Sequence, residues 1–135
     1  MPVVGLVIAT HCGLAGELVK TAEMIIGSMP LVAAVSIRRE DGPEEIRQRF
    51  RRAIDEVGQD GDGVLVLTDM FGGTPSNIGF SFLDQGLVDV LSGVNLPMVL
   101  RASQERKGRC LGELALLLRD YGQHSILLAS DILDK

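Results

Sequence analysis

Tryptophan is absent from this sequence, tyrosine occurs once and phenylalanine four times. So small an aromatic supply leaves no platforms on which successive nucleobases would stack. Basic charge is in deficit as well: 13 Lys and Arg stand against 18 Asp and Glu, a formal net charge of −5 at neutral pH. That balance offers no electrostatic footprint for a phosphate backbone, and nucleic acid is not an expected partner. There are only two cysteines, Cys12 and Cys110, too few for a disulfide framework. Reduced thiols in a cytoplasmic protein are the simpler expectation. Long apolar runs are missing too, and nothing approaches the ~20 residues that span a bilayer. The opening MPVVGLVIAT is apolar but has neither the basic n-region nor the cleavage site of a signal peptide. No GxxxxGK is present to cradle a nucleotide, and the Cys and His residues lack zinc-ligand spacing.

What remains is 135 residues, 46% of them hydrophobic, which fills the core of one domain over residues 1–135 and excludes intrinsic disorder. Val3 to Ala9 is a continuous apolar run broken only by Gly5, the pattern of a strand buried on both faces. Leu14, Leu18, Ala22, Ile25 and Ile26 then recur with helical period until Gly27 and Pro30 end the helix. Leu31 to Ile37 reads as a second strand. Pro43 opens a helix whose apolar stripe is Ile46, Phe50, Ile54 and Val57, and Gly58 stops it. Val64 to Thr68 is a third strand, Pro75 starts a short helix through Leu83, and Val88 to Leu91 is a fourth strand. Asn95 and Pro97 introduce a helix ending near Ser103, and another carries Leu111, Leu114, Ala115 and Leu118 until Gly122. Ser125 to Ala129 completes the pattern as a last strand.

This alternation predicts an α/β fold: a three-layer, open, mostly parallel sheet with helices on both faces. In such sheets ligand chemistry sits outside the carboxyl ends of the strands. That rule selects Thr10 to Gly13 after the first strand and Asp69 to Thr74 after the third. His11 is one of only two histidines, and near-neutral titration lets its ring serve as base, ligand or nucleophile. It equally suits a residue that merely closes a turn or caps the helix. In the second loop, Gly72 and Gly73 let backbone approach a ligand closely, and the hydroxyls with helix-terminal N–H groups make an anion site. Asp69 is placed either to orient the imidazole by accepting its other N–H or to cap its own loop.

The stretches GLVIATHCGLAGELVKTAEMIIG, VLVLTDMFGGTPSN and LSGVNLPMVL, in this order and spacing, resemble the IIA component of the mannose/fructose-type sugar phosphotransferase system. The similarity runs from about Val4 to Leu100. It implies a phosphotransferase with a phosphohistidine intermediate, in which His11 takes a phosphoryl group from the phosphocarrier HPr. The group then passes to a IIB component, which phosphorylates sugar as the IIC/IID membrane components transport it. By the same resemblance Asp69 positions His11, while Thr74 and its neighbours Thr10, Gly72, Gly73 and Ser76 bind the phosphate. No metal and no cofactor are implied, the IIB acceptor is expected as a separate protein, and the chain is expected to form a homodimer with its carboxyl-terminal edge strand at the interface.

One departure from that family is Cys12, which stands where glycine is usual. A positive φ there would strain a cysteine, and its thiol would lie beside the nucleophile. Two other functions use the same residues: a regulatory protein whose phosphohistidine is read by a partner, and a carrier feeding dihydroxyacetone phosphorylation. The arginines at 47, 49, 51 and 52 lie among Glu44, Glu45, Asp55 and Glu56 and read as a solvated helix face. Asp60 to Gly63 reads as a turn, since the spacing and terminal Glu of a calcium loop are missing. His124 is expected to be exposed.

Overall fold

A computed structural model describes residues 2–133; the expected domain 1–135 also includes Met1, Asp134 and Lys135, which lie outside the described residues. Four strands, β1 (Gly5–His11), β2 (Val32–Ile37), β3 (Val64–Thr68) and β4 (Val88–Ser92), form one sheet in the order β2-β1-β3-β4. Every pairing is parallel, so the sheet is wholly rather than mostly so. Between and after the strands run α1 (Leu14–Ile26), α2 (Pro43–Val57), α3 (Thr74–Phe80), α4 (Leu96–Glu105), α5 (Leu111–His124) and α6 (Ala129–Leu133).

The apolar runs of β1 and β3 sort themselves between two cores because successive side chains of a strand point to opposite faces. Leu6, Ile8, Leu65 and Leu67 meet α1, α4 and α5 through Ala15, Ala22, Met98, Val99, Leu114 and Leu118. Val7, Ala9, Val64 and Val66 face the other way and pack on Ile46, Phe50, Ala53 and Val57 of α2 and on Ile78 of α3. Helices therefore cover both faces, as the alternation predicts. At ~25 cal/mol per Å² of apolar surface, a fully buried Val, Leu or Ile contributes about 1.5–3 kcal/mol, and such residues make up most of the two central strands.

Several boundaries move for physical reasons. Val3 makes only an isolated bridge with Lys107, so β1 begins at Gly5 and continues to His11, which places Thr10 and His11 on the strand rather than in a loop. Leu31 adopts φ +55 and precedes β2 instead of starting it. Helix α5 runs through Gly122 to His124, and a Cβ at residue 122 would lie 2.5 Å from the end of the Met98 side chain. The glycine therefore serves the packing of α4 on α5.

The expected last strand, Ser125 to Ala129, is a correction. A strand needs a ladder, and nothing among the described residues pairs with this segment. Ser125 instead caps α5, and the amides of Asp131 and Ile132 donate to the Leu128 carbonyl, winding the chain beyond it into α6. Its apolar residues Ile126, Leu127 and Leu128 are left exposed.

A buried cation ties the opposite end of the sheet. Arg106 is 3% exposed, and its guanidinium donates to the carbonyls of Val4 (3.4 Å), Leu31 (2.9 Å) and Pro30. It binds the amino-terminal ends of β1 and β2 to the end of α4, and burial lowers its pKa from the ordinary arginine value.

Candidate functional site

Because all four strands run the same way, their carboxyl ends share one edge. His11 ends β1, opposite Ile37 of β2, and Asp69 comes directly after the last residue of β3. A single carboxylate oxygen binds His11 twice: Asp69 Oδ2 lies 3.1 Å from the His11 backbone nitrogen and 2.9 Å from ring Nδ1. The other oxygen accepts from the Met70 amide at 3.1 Å. An ionised carboxylate only accepts, so the proton of the neutral ring sits on Nδ1 and the lone pair on Nε2. Asp69 thus orients the imidazole and caps its own loop at once.

Burial pushes the Asp69 carboxyl up, but the hydrogen bonds from the His11 ring and backbone, with the attraction of a charged His11 and the carboxyl's own amide, outweigh it. The net effect holds Asp69 below the usual aspartate value. The pair is unevenly exposed, with 46% of the His11 side chain open to solvent against 16% of Asp69. The imidazole faces outward and the carboxylate that holds it is sheltered.

The glycine loop closes against the same ring. Gly72 adopts φ +89, and a Cβ on Gly73 would lie 2.8 Å from His11 Cε1 and 3.4 Å from Nε2. Bare backbone at residue 73 therefore sits beside the Nε2 side of the ring, where a side chain would crowd the imidazole. Thr74 is exposed and lines, with His11, a cavity of about 480 Å³.

Two of the residues expected to bind phosphate have hydroxyls that are bonded to backbone. Thr10 is 0% exposed; its hydroxyl donates to the His11 carbonyl (3.1 Å) and accepts from the Ala15 amide (2.7 Å). Ser76 is also 0% exposed, accepting from the Gly72 amide (2.9 Å) and donating to the Gly73 carbonyl (3.0 Å). Both hydroxyls are enclosed and spent on backbone, so they shape the two turns. Of the five residues expected to cradle phosphate, the structure brings Gly72, Gly73 and Thr74 to the open side.

Cys12 adopts φ +53, the left-handed conformation that a non-glycine residue takes only under constraint. Its amide donates to the Ile37 carbonyl at 2.8 Å, which fixes the turn, and its thiol is exposed. The same cavity is lined by Arg38 and Arg39, which sequence reading missed. The strand-end rule locates them, since they come directly after β2. The arginine run of α2 is less inert than a solvated face: Arg49 pairs with Asp41 (2.8 Å) and Glu45 (3.3 Å) and donates to the Ser36 carbonyl (2.8 Å). His124 is exposed in the last turn of α5, its Nδ1 2.7 Å from the Asp120 carbonyl.

A parallel sheet covered on both faces, with an aspartate-oriented histidine at its carboxyl edge, defines the class: an α/β protein whose chemistry belongs to strand ends. The comparisons identify the family. Residues 5–116 match the model of the family described as "PTS system fructose IIA component", and the chain belongs to it. Over 133 residues it is 29% identical to the "PTS system fructose-specific EIIA component" of Bacillus subtilis (strain 168), covering 98% of this chain and 90% of that protein. It is 30% identical over 125 residues to the "PTS system mannose-specific EIIAB component" of Escherichia coli (strain K12), covering 91% of this chain and 38% of that longer protein. The solved "Mannose/sorbose specific IIA subunit of phosphotransferase system" from Enterococcus faecalis superposes with a TM-score of 0.83 at 28% identity, over 93% of each chain. The chain is thus a IIA component of the mannose/fructose family, whose members are phosphotransferases of sugar uptake. Among the described residues, no helix is long and apolar enough to cross a membrane.

Proposed function

We propose that this chain, as a single cytoplasmic IIA domain, receives a phosphoryl group from phospho-HPr on His11 Nε2 and delivers it to a IIB component during sugar uptake. The observation that carries this reading is the 2.9 Å contact between His11 Nδ1 and Asp69 Oδ2, which leaves Nε2 unprotonated beside an open cavity. In the transfer the Nε2 lone pair forms a bond to phosphorus as the donor's P–N bond breaks, and the bonding pair stays with the donor imidazole. His11 keeps its Nδ1 proton, so its ring becomes cationic and the Asp69 carboxylate stabilises that charge. Phosphoryl transfer asks a protein chiefly for in-line positioning and charge stabilisation. The bare backbone at Gly73 and the exposed Thr74 leave room for the group on the open side. The second transfer reverses these roles, with the IIB nucleophile attacking the same phosphorus.

Incubating the chain with enzyme I, HPr and phosphoenolpyruvate tests the proposal. One acid-labile phosphate per chain is expected, absent from His11→Ala, whose circular dichroism remains that of the parent. Equal labelling of the alanine variant would refute it.

A further inference from the structure

Two cations border the cavity at His11 without an ion-pair contact among the described residues. Arg38 and Arg39 come just after the carboxyl end of β2, next to β1 in the sheet, and both are exposed. Neither forms an ion pair among the described residues. The carboxylate that lines the same cavity, Asp41, is already engaged: it pairs with Arg49 at 2.8 Å and accepts from the Arg38 backbone amide at 2.8 Å. Asp69 is committed to His11. A chain of net charge −5 therefore presents, at the mouth of its reactive histidine, two positive charges held in no ion pair.

We infer that Arg38 and Arg39 bind the phosphoryl group itself, neutralising its two negative charges as it arrives at His11 and while it rests there. This rests on the reading of His11 as the phosphorylated residue and adds catalytic residues to it. The charges balance locally. The Asp69 carboxylate answers the phosphorylated imidazolium, Arg49 answers Asp41, and the two guanidiniums answer the phosphoryl dianion. Guanidinium is the group for that task, because it remains charged and offers a planar fork of N–H donors to phosphate oxygens. An acidic partner surface docking on the same two arginines is the competing occupant. The cavity favours the phosphoryl group, since these charges line the recess that holds His11.

A donor with no docking surface separates the two. Phosphoramidate is small; its P–N bond breaks as His11 Nε2 attacks, and the bonding pair leaves with ammonia. Single-turnover labelling by phosphoramidate and by phospho-HPr is measured for the parent and for Arg38→Gln, Arg39→Gln, the double Gln variant and the double Lys variant. A loss on the order of tenfold is expected for each Gln change with both donors, limited by solvent screening of exposed charge. The double Lys variant is expected to regain most of the rate. Thermal midpoints should stay at the parent value, as neither side chain is buried. Loss with phospho-HPr alone would make the arginines a docking site and overturn the inference, as would unchanged rates with both donors. Failure of the parent chain to label at His11 with either donor would instead remove the underlying reading, and the inference with it.

Discussion

Asp69 carries more than its position in the sequence discloses. One oxygen serves both the backbone and the ring of His11, so its charge can be removed while its shape is kept. In Asp69→Asn the amide oxygen still accepts the His11 backbone N–H, while the positive ring formed on phosphorylation loses its counter-charge. In a serine-protease triad the corresponding change costs roughly 10⁴ in rate. Here, with no proton shuttle to disrupt, single-turnover phosphorylation should fall on the order of 10²–10³-fold while the thermal midpoint drops by only a few degrees. The folded carboxyl titrates below its ordinary value. Its stabilisation is therefore complete above the unfolded pKa of about 4 and is lost as pH falls through the lower folded pKa. Thermal melts in that acid range should show the parent losing stability more steeply than Asp69→Asn. The pairing of His11 with Asp69 is legible in sequence, because both stand where apolar runs end at one sheet edge. The roles of Thr10 and Ser76 are not, because composition shows that a hydroxyl is present, not whether it faces solvent or its own backbone.

The turn from β1 to α1 stores a small strain. Its left-handed residue is Cys12, and an αL conformation costs a non-glycine side chain roughly 1 kcal/mol or more. Cys12→Gly should stabilise the fold by about 1 kcal/mol, less than the full relief because glycine also loosens the unfolded chain. A rise of about 3–5 °C in thermal midpoint is expected for a domain of this size, and an unchanged or lowered midpoint would show that the strain is not felt. The strands and helices themselves are largely readable. β1 and β3 are apolar throughout because both faces are covered, and the period of α2 picks out Ile46, Phe50 and Val57. Their ends are harder to place. A glycine at 122 marks a helix stop on propensity alone, and only the approach of Met98 from another helix shows why a glycine stands inside the helix instead. Leu31 with its positive φ is held beside the buried Arg106, a partner 75 residues away that no local pattern connects to it.

At the scale of the molecule, the segment from Ile126 to Leu133 is the place where sequence and structure part. A short apolar run has the look of a strand, yet strand formation depends on an edge to join, and that edge need not lie in the same chain. Ile126, Leu127, Leu128, Ile132 and Leu133 are 53–80% exposed, too large an apolar surface to remain in water without a cost. We expect it to be covered by a second copy, so that sedimentation over a wide concentration range shows a homodimer. Leu127→Asp with Leu128→Asp should weaken association on the order of 10²-fold. A strict monomer at every concentration would refute this and leave the chemistry at His11 untouched.

The sheet has one further consequence, for how the molecule fails on heating. His11 and Asp69 are anchored at the ends of β1 and β3, the two inner strands, which have neighbours on both sides and helices over both faces. Such strands open only when the whole domain does, whereas loops and lids open locally at little cost. Heat inactivation of the histidine site and loss of the fold should therefore trace one curve.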